Sequence, residues 1–168
     1  MATTTRKKRL ATMHKEEVKT RVTLPAGKYW LGDPCYTIPD QDWHEWLEAA
    51  NYTQEVNLLA KVPGREDYAV GFSTAFGDGC YPYQKQSGGH WSSWESQELL
   101  PVDAGLIGFV PFDAAPDHNE TLSVLVEFDR DTQVEWEDGN LEWWVGSQRF
   151  RVLTDESEEF EEADEIVY

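Results

Sequence analysis

Residues 121–153 read TLSVLVEFDRDTQVEWEDGNLEWWVGSQRFRVL, and the reading of this stretch decides the fold class. Apolar, β-branched and aromatic residues alternate with charged and polar ones, the period of a strand with one buried face. Thr121–Phe128, Thr132–Trp136, Leu141–Val145 and Gln148–Leu153 read as four strands of a β-meander. Asp138-Gly139 is the turn signal of a tight hairpin, and Gly146 supplies the next connection. Trp143 and Trp144 occupy adjacent strand positions, so one faces the core and the other the opposite side.

Working outward, Arg21–Leu31 reads as a strand broken by a Pro25-Ala26-Gly27 turn. Glu55–Val62 and Tyr68–Phe76 read as further strands, and Glu98–Phe112 is apolar enough to be buried. Residues 84–97, QKQSGGHWSSWESQ, are rich in Gly and Ser and read as a surface loop. The body has one clear helix signal. Trp43, Trp46, Leu47 and Ala50 fall at i, i+3, i+4 and i+7, with Asp40 as the expected N-cap. The sum is a mainly β protein: a small antiparallel sandwich or partly open barrel with one packed amphipathic helix.

The 168 residues suit one domain with two charged ends. Residues 1–20 read as a basic flexible arm, 21–154 as a single β-rich domain and 155–168 as an acidic disordered tail. Residues 1–21 carry seven Lys/Arg against two Glu, and residues 155–168 carry eight Asp/Glu and no base. The stretch between holds 22 acids against seven bases, so the acidity of the −18 chain belongs to the folded body as well as to the tail. Such a surface repels nucleic acid and membrane phosphates and attracts basic partners. The simpler reading of the same charge is solubility. No apolar leader or membrane-length run is visible, and Cys35 and Cys80 lack zinc-like spacing. A cytoplasmic protein with reduced thiols and no cofactor is therefore expected.

Three glycine–aspartate segments punctuate the body: Gly32-Asp33-Pro34-Cys35-Tyr36, Gly77-Asp78-Gly79-Cys80-Tyr81 and Val102-Asp103-Ala104-Gly105-Leu106-Ile107-Gly108. Glycine admits positive φ and close backbone approach, and aspartate can cap its own loop. Asp33, Asp78 and Asp103 thus read first as fasteners of turns. If the loops converge, Asp33, Cys35, Tyr36, Thr74, Asp78, Tyr81 and Asp103 are the candidate small-ligand or nucleotide site. A divalent cation held by Asp33, Asp78 and Asp103 is a weaker alternative, because no calcium-loop spacing is present. Cys35 is a poor nucleophile in so acidic a body, with His44 and His90 the only candidate bases. Trp91 and Trp94 stand in a polar loop and are candidate partner contacts.

The set GKYWLGDPCY, STAFGDGCY and VDAGLIGFVP, followed by an acidic tail, resembles a family of hypothetical proteins of bacteriophages and bacterial genomes. The resemblance spans residues 24–165 and implies no settled activity and no catalytic residues. The 84–97 segment is longer than that pattern. The leading expectation is a non-enzymatic, acidic, phage-type protein that occupies a basic surface of a host protein. A small-ligand binder, a metal-assisted hydrolase and a virion component are the alternatives.

Overall fold

A strand with one apolar face needs a second layer to cover it, and this chain supplies two such layers and a helix. The structure, a computed structural model, describes residues 11–15, 19–92, 98–115, 118 and 122–155. Among these residues the chain forms, in order, β1 (Thr12–Lys15), β2 (Lys19–Leu24), β3 (Gly27–Gly32), α1 (Pro34–Thr37), α2 (Asp40–Ala49), β4 (Leu58–Lys61), β5 (Tyr68–Ser73), β6 (Gly79–Ser87), β7 (His90–Trp91), β8 (Glu98–Val102), β9 (Leu106–Pro111), β10 (Val124–Phe128), β11 (Thr132–Glu137), β12 (Asn140–Val145) and β13 (Gln148–Val152).

The strands make two antiparallel sheets. The larger runs β1-β2-β11-β12-β13-β6-β7, with β8 also paired to β6; the smaller runs β10-β3-β9-β5-β4. Their facing sides enclose one core, in which Val22, Leu24, Val134, Leu141 and Trp143 of the large sheet meet Leu31, Val70, Phe72, Ile107, Phe109 and Phe128 of the small one. Phe109 packs edge-on to Trp143 at 5.3 Å between ring centres. The outer side of the small sheet is covered by α2. Trp46 and Ala50 pack there with Leu58, Ala60, Ala69, Leu106 and Val110. β9 is therefore buried at all six residues, which explains its unbroken apolar sequence. The fold is the expected small β-sandwich with a packed helix.

The stripe on α2 behaves as its spacing predicts: Trp46 is fully buried and donates its indole N–H to the Ala60 carbonyl at 3.1 Å. Pro39 rather than Asp40 takes the cap position, and Asp40 is the first helical residue. The Trp143–Trp144 pair also divides as expected, with Trp143 buried and Trp144 52% exposed.

Other expectations change. The run 121–153 is not one meander. β10 pairs with β3 in the small sheet, while β11, β12 and β13 belong to the large one. Only Asp129–Asp131 separates β10 from β11, so a short turn carries the chain between layers. Residues 84–92 are largely hairpin rather than loop. β6 continues to Ser87, turns at Gly88-Gly89 (φ 58° and 86°) and returns as β7. The sheet also extends into the segment read as arm, because β1 pairs with β2 and turns Met13 toward the core.

Crossings between the sheets occur at both ends of the sandwich. At one end β2 passes to β3 through Pro25-Ala26, and β10 passes to β11 through Asp129–Asp131. At the other, β5 passes to β6 through residues 74–78, and β8 passes to β9 through Asp103–Gly105. The register Tyr29↔Pro111 and Gly32↔Gly108 puts these two pairs of corners at opposite ends.

Candidate functional site

The three glycine–aspartate loops meet at one end of the sandwich. Asp33 is fully buried and caps α1, accepting the Cys35 N–H on Oδ1 at 2.9 Å. Its Oδ2 accepts the N–H groups of Asp103 and Ala104 at 2.8 and 2.7 Å. The first loop is thereby tied to the third. The third is tied to the second, because Thr74 N–H donates to the Gly105 carbonyl at 3.1 Å. Within the second loop, the Thr74 and Tyr81 hydroxyls both donate to the Gly77 carbonyl, at 2.7 and 2.9 Å. The Asp138-Gly139 hairpin turn closes over this assembly. Thr154, just beyond β13, links the two: its Oγ1 accepts from Ala75 N–H and its hydroxyl donates to the Gly139 carbonyl.

The three loops thus come together, and the Asp33 carboxylate and the Thr74 and Tyr81 hydroxyls are spent on bonds within them. Three of the roughly four acceptor positions of the Asp33 carboxylate are occupied by backbone N–H groups. Asp78 and Asp103 project to the exposed surface. Among the described residues, no three His, Cys, Asp or Glu side chains are placed to hold a metal ion. Cys35 is half-buried and Cys80 exposed, and both are free thiols. Burial, with the Asp33 carboxylate beside it, pushes the titration of the Cys35 thiol far up, which disfavours the thiolate. Burial likewise raises Tyr36 and Tyr81, each with an aspartate nearby. His44 pairs with Glu48 on the exposed side of α2, and His90 is exposed on β7. A hollow of about 300 Å³ adjoins the third loop at Ala104 and Gly105, walled by Trp43, Leu47, Tyr52 and Val56. None of the seven candidate residues lines it.

Of the two candidate contact tryptophans, Trp94 lies outside the described residues. Trp91 is half-buried and folds back on the outer face of the large sheet. The Arg151 guanidinium stands 3.8 Å from its ring centre, and Arg149 bridges Trp91 and Trp144 at 5.1 and 5.5 Å.

The opposite end is built differently. Between the Pro25-Ala26 and Asp129–Asp131 corners opens a cleft of about 990 Å³. Among the described residues, five carboxylates line it, Glu66, Asp67, Asp113, Asp129 and Asp131, against two cations, Lys28 and Arg130. All but Asp67 are exposed. Tyr29, Tyr68 and Phe112 supply the aromatic part of the wall. The Ala26 N–H donates to Asp131 Oδ1 at 3.3 Å, which links the two corners. The Tyr29 hydroxyl donates to the Pro25 carbonyl at 2.7 Å, and its titration is pushed far up by burial and then by Asp67 and Asp131. Arg65 pairs with Asp67 and Arg130 with its neighbour Asp129. Carboxylates beside aromatic faces suit a guanidinium or ammonium group, which can pair with the former and stack on the latter.

Sequence reasoning located the loop end by its motifs and missed the cleft. The cleft draws on five separate segments, around residues 11, 25–29, 66–68, 111–113 and 129–131. The one local signal is that the acidic pairs Glu66-Asp67 and Asp129–Asp131 each adjoin a strand end. No protein-family model matches the chain, and no curated protein and no solved structure matches it. Among the described residues, no helix is long and apolar enough to cross a membrane.

Proposed function

We propose that this chain is a binding protein rather than an enzyme, and that it engages a basic segment or surface of another protein through its acidic body. The observation that carries this reading is the cleft at the open end, where five carboxylates and three aromatic rings face one space. The charge of the body extends that field beyond the cleft and accelerates encounter with a cationic partner. The loop end supports the reading from the other side. Its buried carboxylate and backbone donors bond to each other, and its half-buried thiol is held protonated. The motif resemblance to phage proteins makes a host protein the natural partner.

The test is capture of a partner by the full chain at low and raised ionic strength, followed by mapping of the partner's bound segment. The reading expects a lysine- or arginine-rich segment, retained at about 50 mM salt and released at several hundred millimolar. The double variant Asp113→Lys/Asp129→Lys should lose it. A partner without a basic segment, or capture indifferent to salt, contradicts the reading.

A further inference from the structure

The two sheets differ in what stands on their outer sides. Helices α1 and α2 pack against β9 and β4 of the small sheet, whereas the outer side of the large sheet bears exposed apolar residues. Strand alternation and register place Trp144, Arg149, Arg151, Trp91 and Leu99 together on that side. Trp144 is 52% exposed and Leu99 47%. Arg149 stands over the Trp91 and Trp144 rings, and Arg151 lies on Trp91, so the indoles are held in place before any contact is made. The Nε of Arg149 is buried and has no acceptor among the described residues, a cost the single chain carries.

The charges of this face are balanced, unlike those of the body. On β2 and β11, Lys19 lies 3.9 and 3.8 Å from Glu135 and Glu137, and Arg21 lies 3.1 Å from Glu135. On β12 and β13, Arg149 pairs with Glu142, and Arg151 stands opposite Glu142 in the register. Four cations thus meet three carboxylates on these four strands. Residues 22–154 as a whole hold 22 acids against seven bases. A twofold contact lays one patch on the same patch of a second copy, so a patch of one sign repels itself and a balanced one can pair.

We propose that the outer side of the large sheet is the surface through which two copies of this chain associate about a twofold axis, with Trp144 and Arg149 near its centre. β12 and β13, which carry these two residues, lie in the middle of the strand order. Aromatic residues and arginine are the types enriched in the buried middle of such contacts. Seven strands about 4.8 Å apart, with central strands about 20 Å long, make a flat area of roughly 700 Å² a side, near the ~800 Å² that each partner gives to a standard interface. Repulsion between two chains of charge −18 opposes the contact, so the dimer tightens as salt screens it. None of these residues lines the open-end cleft, so the proposal stands apart from the reading of that cleft.

Sedimentation velocity of the full chain between about 1 and 500 µM, at about 50 and 300 mM salt, tests this. A shift from monomer to dimer is expected, with a midpoint on the order of tens of micromolar that falls at the higher salt. Trp144→Glu should raise the dimer Kd about tenfold or more, and Leu99→Glu, on the same face, about threefold. Leu125→Glu makes the same change at a 40% exposed residue of β10 in the small sheet and should leave the Kd as it is. Trp144 and Leu99 stand on different strands, so loss of folding in one variant leaves the other to decide. Monomer alone at the highest concentration in both salts overturns the proposal. Equal weakening by the variants of both sheets overturns it, since the contact then lies elsewhere. Species larger than a dimer also overturn it, because they require a head-to-tail contact.

Discussion

The two ends of the sandwich use the same residue type for opposite purposes. At the loop end, Asp33 is buried and its carboxylate joins two loops by accepting three backbone N–H groups. At the open end, Asp113, Asp129 and Asp131 are exposed and line a cleft. Both ends carry the chain between the same two sheets, so both need turns that satisfy their own backbone. The difference lies in what the turn encloses. At the loop end three loops, a hairpin turn and Thr154 fill the space between the corners. At the open end the Ala26 N–H donates to Asp131 across the two corners, and the described residues beside them wall a cleft. Asp33, one of the conspicuous aspartates, therefore marks structure at one end, and inconspicuous ones mark the candidate contact surface at the other.

If this contrast is sound, Asp33→Ala should be the most damaging of the aspartate substitutions. It leaves three N–H groups without their acceptor in a buried site and should cost about 3 kcal/mol or more. Urea unfolding reads this as a lowered midpoint. A variant as stable as the wild type would mean the loops are held by something else.

Gly139→Ala sharpens the same point with backbone geometry. Gly139 has φ 97°, and a Cβ there would stand 2.6 Å from the Ala75 nitrogen in the second loop. Both strain and overpacking apply, and a loss of about 2 kcal/mol is expected. Gly88 at the β6–β7 turn, φ 58°, meets nothing within 4 Å, so Gly88→Ala isolates the conformational part alone. It should cost about 1 kcal/mol. Equal losses at the two glycines would show that the hairpin turn does not brace the loop end.

Asp113→Asn/Asp129→Asn should have the smallest effect on stability. Both side chains are exposed, and the only ion pair joining either of them to a described residue is that of Asp129 with its own neighbour, Arg130. The urea midpoint should match the wild type. A clear loss would make the open end a second structural knot and erase the contrast.

Much of the sandwich was legible because its strands keep one face in contact with water. The alternation in β11, β12 and β13 follows directly from that, and so does the division of Trp143 from Trp144. The continuous apolar run of β9 signalled burial on both sides. Sheet membership was not legible. Nothing in the period of Val124–Phe128 distinguishes a neighbour of β11 from a neighbour of β3, since pairing is decided by residues about a hundred positions away. The β6–β7 hairpin was hidden for a different reason. Its polar residues are bonded across the sheet, the Arg151 guanidinium donating to the Gln84 side chain and the Gln148 amide to the Gln86 main-chain carbonyl, so composition alone suggested a loop. At the loop end the motif located Asp33, Asp78 and Asp103 together. It could not rank them, because the burial of Asp33 comes from the β8–β9 corner some 70 residues along.

On the proposed function, the exposed carboxylates of the open end, and not those of the loop end, would meet a cationic partner. The direct measurement is the Kd of fluorescein-labelled octa-arginine for two double variants of equal charge, Asp113→Lys/Asp129→Lys and Asp78→Lys/Asp103→Lys. The two change net charge identically, so any difference between them reports position alone. The first variant should weaken binding about tenfold and the second about twofold or less, the smaller effect being the loss of general attraction. Equal weakening by the two, or a larger effect of the second, would contradict that reading.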